Sequence, residues 1–270
     1  MTDPFPPHWR IVGASVPGSR HAAVAQVNQD SWLYRQVTDE TFVLAVADGA
    51  GSRPRSAVGS RLAVEAAFAS ACAVLPLRAP EQRQDYVELA GRWASGCRTA
   101  FTRATEATAG ALSAGHRDGA TSDDFATTLL AVLAMPPWYC YLTVGDCFAV
   151  VYRRPDGPRL VVPPLMTGSR GVTRFLTTPE SATKMSFGVI DEPSLSGLAL
   201  CSDGLIEATL DVARSADGGL CYLAPADFSG FFEAGIDIDW TGTDLAAGLA
   251  SPEYAAASGD DMTMVLAVRR

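Results

Sequence analysis

Short runs of apolar residues, bounded by polar or glycine-containing segments, recur along most of the chain. In the first fifty residues this pattern predicts strands at 9–16, 31–37 and 41–47. The third run contains six consecutive apolar residues, FVLAVA, which is typical of a strand buried on both faces. Further strands are predicted at 125–134, 139–144, 148–154, 160–162, 198–202 and 263–268.

Two long segments between these runs have helical spacing instead. Residues 56–75 and 85–108 are rich in alanine, and their apolar residues recur every three or four positions, which favours core-facing helices. Shorter helices are predicted at 204–210, 225–233 and 244–249, an exposed loop at 110–124, and a tight hairpin at Gly145-Asp146. Strands and helices do not alternate regularly, so the order predicts an α+β fold of layered, mostly antiparallel sheets.

The composition and net charge of the chain exclude several classes of protein. The 270 residues are 48% hydrophobic and 19% charged, which excludes a disordered chain. The net charge of −9 argues against a general binder of nucleic acid or anionic membranes. The six cysteines form no C-x-x-C pair, no signal peptide is visible, and no apolar run is long enough to span a bilayer. We therefore expect a cytoplasmic protein with buried thiols and with neither nucleic-acid nor membrane partners.

Aspartates flank the most apolar predicted strands. They are Asp30, Asp48, Asp146, Asp203, Asp260 and Asp261. A single aspartate at such a place is favoured as a turn or cap residue. A sheet that gathers several of them would need cations, because neighbouring carboxylates raise one another's pKa. Mg²⁺ and Mn²⁺ prefer oxygen ligands, and three histidines are too few for a histidine-based zinc centre.

Six short motifs follow one another along the chain. They are V-N-Q-D-S (27–31), V-A-D-G-A-G-S (46–52), A-T-T-L-L (126–130), V-G-D (144–146), C-S-D-G-L (201–205) and G-D-D-M-T (259–263). In this order they resemble the metal-dependent type 2C (PPM) serine/threonine protein phosphatases, especially the compact bacterial members, from about residue 10 to 268. The resemblance implies one domain over 1–270, a four-layer α-β-β-α sandwich of two antiparallel sheets flanked by helix pairs. It also implies a variable flap at 163–188, which we expect to be mobile and to select protein substrates.

The resemblance also implies a metal centre at one end of the sandwich, with two Mn²⁺ or Mg²⁺ ions. Asp48 would bridge the two ions, and the Gly49 carbonyl would be a further ligand. Asp203 and Asp260 would complete the shell of the first ion, although the sequence leaves open whether Asp260 or Asp261 is the direct ligand.

Two further aspartates have weaker roles by the same resemblance. Asp30 would act through water, and Asp146 matches the position of a third, weaker ion in bacterial members. The implied reaction is hydrolysis of phosphoserine and phosphothreonine in proteins by a hydroxide that the two ions share. The substrates would be phosphoproteins of a cognate serine/threonine kinase, in a signalling role.

The phosphate-binding residue departs from the family pattern. The family's arginine usually lies a few residues before the first acidic motif, where this chain has Ala25. Arg20 and His21 in the segment PGSRH are the nearest substitutes, and Arg20 is favoured because a guanidinium can bind phosphate through two hydrogen bonds. The alternative function is a phosphatase-like domain that binds a phosphoprotein or kinase without turnover, which the intact Asp48, Asp203 and Asp260 argue against.

Overall fold

Two five-stranded antiparallel sheets lie face to face in a computed structural model, which describes residues 9–38, 40–76, 78, 80–114, 119–164, 173–179, 185–215 and 218–269. In spatial order, sheet A contains β1 (Trp9–Val16), β12 (Met262–Arg269), β9 (Gly197–Cys201), β6 (Phe148–Arg153) and β7 (Gly157–Val162). Sheet B contains β2 (Ser31–Gln36), β3 (Phe42–Ala47), β4 (Leu129–Met135), β5 (Trp138–Val144) and β8 (Ser186–Asp191). A separate two-stranded hairpin is formed by β10 (Asp211–Arg214) and β11 (Leu220–Leu223).

Helices cover the outer faces of the two sheets. In chain order they are α1 (Ser19–Ala23), α2 (Ser56–Val74), α3 (Arg83–Ser113), α4 (Ile206–Thr209), α5 (Ser229–Ile236), α6 (Gly242–Leu249) and α7 (Pro252–Ala257). Helices α2 and α3 cover sheet B, and α5 and α6 cover sheet A. Short 3₁₀ helices occur at Ser122–Phe125, Asp203–Leu205 and Ala226–Phe228. The four layers confirm the predicted α+β sandwich.

The apolar core consists of three layers. Successive side chains of a strand point to opposite faces of its sheet, so each sheet contributes to the layer between the sheets and to a layer under its helices. Between the sheets lie Leu44 and Val46 of β3 with Leu200 of β9. Val43, on the other face of β3, packs beneath the helix layer that contains Trp93. Strands of this kind are apolar on both faces, which explains why the sequence shows continuous apolar runs.

Helix α2 is joined tightly to its neighbour α3. The indole nitrogen of Trp93 donates a hydrogen bond of 2.8 Å to the carbonyl oxygen of Ala67. By length and composition alone, α2 is the one helix among the described residues that could cross a membrane. Nine of its 19 residues are buried, in contact with α3 and strands of sheet B, as in a core helix of a folded domain.

Some sequence predictions are wrong. The predicted hairpin at Gly145-Asp146 does not form, because β5 pairs within sheet B and β6 within sheet A, so this connection crosses from one sheet to the other. Helix α3 continues to Ser113, into the predicted loop, and β4 begins only at Leu129. The β10–β11 hairpin was not predicted. Of the predicted flap at 163–188, residues 165–172 and 180–184 lie outside the described residues, and its last residues belong to β8.

Candidate metal centre and active site

Three carboxylates from separate parts of the sequence meet at one end of the sandwich. Asp48 follows β3, Asp146 lies in the crossing between β5 and β6, and Asp203 follows β9. One carboxylate oxygen from each of them lies within 4.8 Å of the others. Both sheets therefore contribute to this group, which we call the carboxylate cluster (Asp48, Asp146 and Asp203).

Asp30 lies buried beside the carboxylate cluster and is only half satisfied by hydrogen bonds. Its Oδ2 accepts a hydrogen bond of 2.6 Å from the Thr263 hydroxyl, whereas its buried Oδ1 has no partner. Asp146 is similar, since Oδ2 accepts from Thr173 at 2.9 Å and Oδ1 is buried without a partner. A buried oxygen without a hydrogen bond is costly, and a divalent cation, bound directly or through one of its waters, would satisfy these two oxygens.

The protonation of these groups reflects their surroundings. Burial, reinforced by neighbouring aspartates, raises the pKa of Asp203 to about 8 and that of Asp48 well above its ordinary value. Burial also raises the pKa of Asp30 to about 7 and raises that of Asp146. Within the described ranges, no arginine, lysine or histidine forms an ion pair with any of the four. Oxygen ligands, high negative charge and lack of a cationic partner fit a hard divalent ion.

The A-T-T-L-L motif holds Asp48 in position, a role that sequence reasoning did not assign. The Thr128 hydroxyl accepts a hydrogen bond of 2.9 Å from the Asp48 amide, and the Thr128 amide donates to the Asp48 carbonyl at 2.8 Å. The Thr127 hydroxyl donates to the same carbonyl, also at 2.8 Å. The sequence feature that could have revealed this role is a pair of adjacent threonines just before a buried strand.

Gly49 lies where backbone segments approach one another closely. A Cβ atom added at Gly49 would lie 2.7 Å from the carbonyl oxygen of Gln29 and 2.8 Å from that of Ser56. No side chain fits between these carbonyls without shifting them. The site therefore needs glycine directly after Asp48.

The adjacent aspartates Asp260 and Asp261 have different surroundings. Asp261 is 1% exposed, and its carboxylate accepts hydrogen bonds from the amides of Gly18 (2.8 Å) and Gln29 (2.7 Å) and from His21 Nδ1 (2.8 Å). Asp260 instead lines a cavity together with Asp203. This geometry favours Asp260 as the metal ligand and gives Asp261 a structural position.

Arg20 lines the same cavity, whereas His21 is turned toward Asp261. The cavity has a volume of about 280 Å³ and is lined by Arg20, Asp203, Gly204, Ile206, Glu207, Tyr222, Ser258 and Asp260. The Arg20 amide donates to the Gly259 carbonyl at 3.0 Å, and its side chain lies so close to Gly259 that a Cβ there would be 2.4 Å from Nε. Of the two candidates for the phosphate contact, only Arg20 lines this cavity.

A family model, protein phosphatase 2C, matches residues 17–233. The chain belongs to the protein phosphatase 2C family, whose enzyme class is the protein serine/threonine phosphatase. No curated protein sequence matches the chain significantly.

Solved structures of several bacterial proteins share the fold. PppA from Pseudomonas aeruginosa is 17% identical, with a TM-score of 0.58 over 97% of this chain and 98% of that one. Stp1 from Staphylococcus aureus is 14% identical, with a TM-score of 0.57 over 99% of both chains. The catalytic domain of PstP, solved with two manganese ions, is 16% identical, with a TM-score of 0.53 over 97% of this chain and 98% of that one.

Proposed function

We propose that this protein hydrolyses phosphoserine and phosphothreonine monoesters in other proteins, with two Mn²⁺ or Mg²⁺ ions as cofactors. The observation that carries this proposal is the carboxylate cluster, whose oxygens lie within 4.8 Å of one another beside a cavity that also contains Arg20. A phosphate monoester is nearly a dianion at neutral pH, so a site made of carboxylates alone would repel it. Cations and Arg20 together would reverse that repulsion.

The chain's own side chains hold and orient the reacting groups. Asp48 would bridge the two ions, with the Gly49 carbonyl as a further ligand, while Asp203 and Asp260 hold the first ion. Bound divalent cations lower the pKa of coordinated water enough to supply the nucleophile, so no serine or cysteine of the chain needs activation.

Asp30 and Asp146 would act at the margin of this centre. Asp30 is anchored by Thr263, which leaves its free Oδ1 to hold a water against the ions. Asp146 has one free oxygen as well and would hold the third, weaker ion. Its other oxygen accepts a hydrogen bond from Thr173.

Arg20 would bind the non-bridging oxygens of the phosphate. A planar guanidinium forms two parallel hydrogen bonds to such oxygens and keeps its charge at any physiological pH. His21 would not contact phosphate. The Asp261 carboxylate can only accept, so His21 Nδ1 carries the proton in their hydrogen bond, which anchors the short helix α1 that also contains Arg20.

We further propose that the substrates are cytoplasmic phosphoproteins modified by a serine/threonine kinase. Stp1 and PstP are described as serine/threonine phosphatases, PstP with two manganese ions, and PppA as a key regulatory component, and these descriptions support a signalling role here. The negative net charge favours neither nucleic acid nor an anionic membrane as a partner.

The deciding experiment is hydrolysis of a small aryl phosphate by the purified protein with Mn²⁺, with Mg²⁺ and with excess chelator. We expect activity with either metal, none with chelator, and recovery when metal is returned. A phosphoserine peptide should be hydrolysed under the same conditions. Metal-dependent binding of the peptide without turnover would favour the alternative of a non-catalytic regulator, and full activity in chelator would overturn the metal-dependent reaction.

A further inference from the structure

The β10–β11 hairpin lies beside the candidate catalytic cavity but belongs to neither sheet of the sandwich. Within the part of the chain that the structure describes, its two strands pair only with each other. The hairpin follows α4, which itself follows Asp203. The chain therefore places an additional two-stranded element directly after a proposed metal ligand.

Tyr222 connects this hairpin with the cavity. Its side chain packs partly against the apolar cluster outside sheet A and also lines the cavity that contains Arg20 and Asp203. In the hairpin, Tyr222 lies opposite Val212, and Leu220 lies opposite Arg214. Opposed residues of an antiparallel pair share a face, and so do residues two positions apart along a strand. Val212 and Leu220 therefore lie on the same face as Tyr222.

The apolar side chains of Val212 and Leu220 are exposed to solvent. Val212 is 58% exposed and Leu220 is 55% exposed, although both lie on the face whose third apolar member reaches the cavity. We call Val212, Leu220 and Tyr222 the hairpin face. Leu223 is 49% exposed as well, but it lies opposite Asp211 on the other side of the hairpin.

We propose that the hairpin face binds an apolar side chain of the phosphoprotein substrate, a few residues from the phosphorylated serine or threonine. This inference rests on the proposed function, because it assumes that a phosphorylated side chain enters the cavity beside Arg20. An extended substrate advances about 3.3 Å per residue, so a neighbour two or three positions away lies about 7–10 Å from the phosphorylated residue. That reach is comparable with the length of the four-residue strands.

The substrate is the occupant that the surroundings favour. Tyr222 belongs both to the hairpin face and to the lining of the cavity, so a peptide whose phosphate lies in the cavity can reach the hairpin face with a neighbouring side chain. Exposed acidic side chains at Glu207 and Asp211 lie nearby in the chain, and they would repel an anionic membrane surface. Contact with an apolar side chain would give the enzyme a sequence preference that the phosphate group alone cannot supply.

The test is a set of phosphoserine peptides in which a single leucine is moved from three residues before to three residues after the phosphoserine. The other positions carry glycine, serine or alanine. We expect one or two leucine positions to raise kcat/KM about tenfold over the peptide without leucine, as burial of a medium-sized apolar side chain would. Each rate is divided by the same enzyme's rate on a small aryl phosphate, so that general changes in activity cancel.

Three variants then separate docking from folding of the hairpin. Val212→Ser and Leu220→Ser should each reduce the leucine preference several-fold or abolish it. Leu223→Ser is the matched control, because it removes a similarly exposed apolar side chain from the opposite face of the same hairpin. It should keep the preference.

The possible outcomes distinguish this inference from the function on which it rests. Equal hydrolysis of all peptides by the unmodified enzyme, or an unchanged preference in Val212→Ser and Leu220→Ser, would overturn the hairpin face while leaving the phosphatase intact. An equal loss of the leucine preference in Leu223→Ser would also overturn the proposed role of the hairpin face. The preference would then depend on the folding of the hairpin and not on contact with this face. If neither aryl phosphate nor any peptide is hydrolysed with Mn²⁺ or Mg²⁺, the proposed function itself fails.

Discussion

Asp261 and the half-buried carboxylate cluster lie at the same end of the sandwich, and their surroundings are opposite. Asp261 accepts three hydrogen bonds, two from backbone amides and one from His21. Asp48 and Asp203 repel each other in the carboxylate cluster, and two oxygens beside them have no hydrogen-bond partner. The protein therefore stabilises the Asp261 carboxylate with its own donors, whereas we propose that cations stabilise the carboxylate cluster.

The comparison teaches how to separate a structural aspartate from a candidate metal ligand at the same end of a fold. Asp261 is 1% exposed, whereas the three carboxylates of the cluster are half-buried. The number of donors separates them further, because a carboxylate surrounded by amides is stable when ionised, whereas one surrounded by other carboxylates is not. The same substitution, Asp to Asn, should therefore change the stability of the metal-free protein differently at Asp48 and at Asp261.

The largest expected effect is the loss of catalytic activity in the variant Asp48→Asn. Loss of the bridging carboxylate should lower kcat by about a thousandfold or more, equivalent to roughly 4 kcal/mol. The same change should leave the metal-free protein as stable or slightly more stable, because it removes a charge from a repulsive group. Aryl phosphate kinetics and urea unfolding in excess chelator measure the two effects. A large loss of metal-free stability would mean that Asp48 is a structural cap.

The second effect is on stability, through Asp261→Asn. An asparagine offers one acceptor and two unwanted donors where Gly18, Gln29 and His21 all donate, so we expect a loss of about 3–4 kcal/mol in the free energy of unfolding. Urea unfolding in chelator measures it beside Asp48→Asn. Similar stability changes in the two variants would remove the distinction between the two groups.

The third effect is the pH dependence of the metal-free protein. The folded-state pKa values of Asp30 and Asp203 are raised to about 7 and about 8, so the folded state holds more protons than the unfolded chain between about pH 4 and 8. Stability should therefore fall as pH rises through this window, because the unfolded chain loses these protons first. Unfolding at several pH values in chelator tests this, and Asp203→Asn should flatten the curve. Rising stability across the window would contradict the raised pKa values.

The smallest expected effect concerns Arg20. Arg20→Ala should raise KM for aryl phosphate and cost about 1.5–3 kcal/mol in kcat/KM, the contribution of a charged hydrogen bond. Arg20→Lys should recover only part, because a lysine lacks the planar pair of donors. His21→Ala should act mainly on stability, through Asp261. Unchanged kinetics in Arg20→Ala would mean that the ions and backbone amides suffice for phosphate binding.

Many of the strands, helices and site aspartates could be predicted from the sequence, because short stretches of sequence are enough to identify them. Continuous apolar runs located β3, β9 and β12, and alanine-rich helical spacing located α2 and α3. The aspartates were found because each interrupts or borders such a run. The structure brings Asp48, Asp146 and Asp203 together, and the roles assigned to them stay predictions.

Other features depend on distant contacts that no local pattern encodes. The crossing at Gly145 was taken for a hairpin because a short turn between two apolar runs fits either connection, and only packing of the two sheets decides between them. The β10–β11 hairpin is short and has exposed apolar residues on both faces, so it lacks the alternation that identifies a strand. The different positions of Asp260 and Asp261 arise from the amides of Gly18 and Gln29, more than 200 residues away in sequence.

The strand order of the two sheets has a consequence for synthesis of the protein on the ribosome. Sheet B takes all its strands from the chain between Ser31 and Asp191, whereas β12, between β1 and β9 in sheet A, begins only at Met262. A growing chain emerges from its amino-terminal side, so sheet B and its helices can assemble well before sheet A is complete. Asp260 and Thr263 arrive with β12. Until then sheet A lacks the strand that joins β1 to β9, and the chain lacks Asp260, one of the proposed metal ligands.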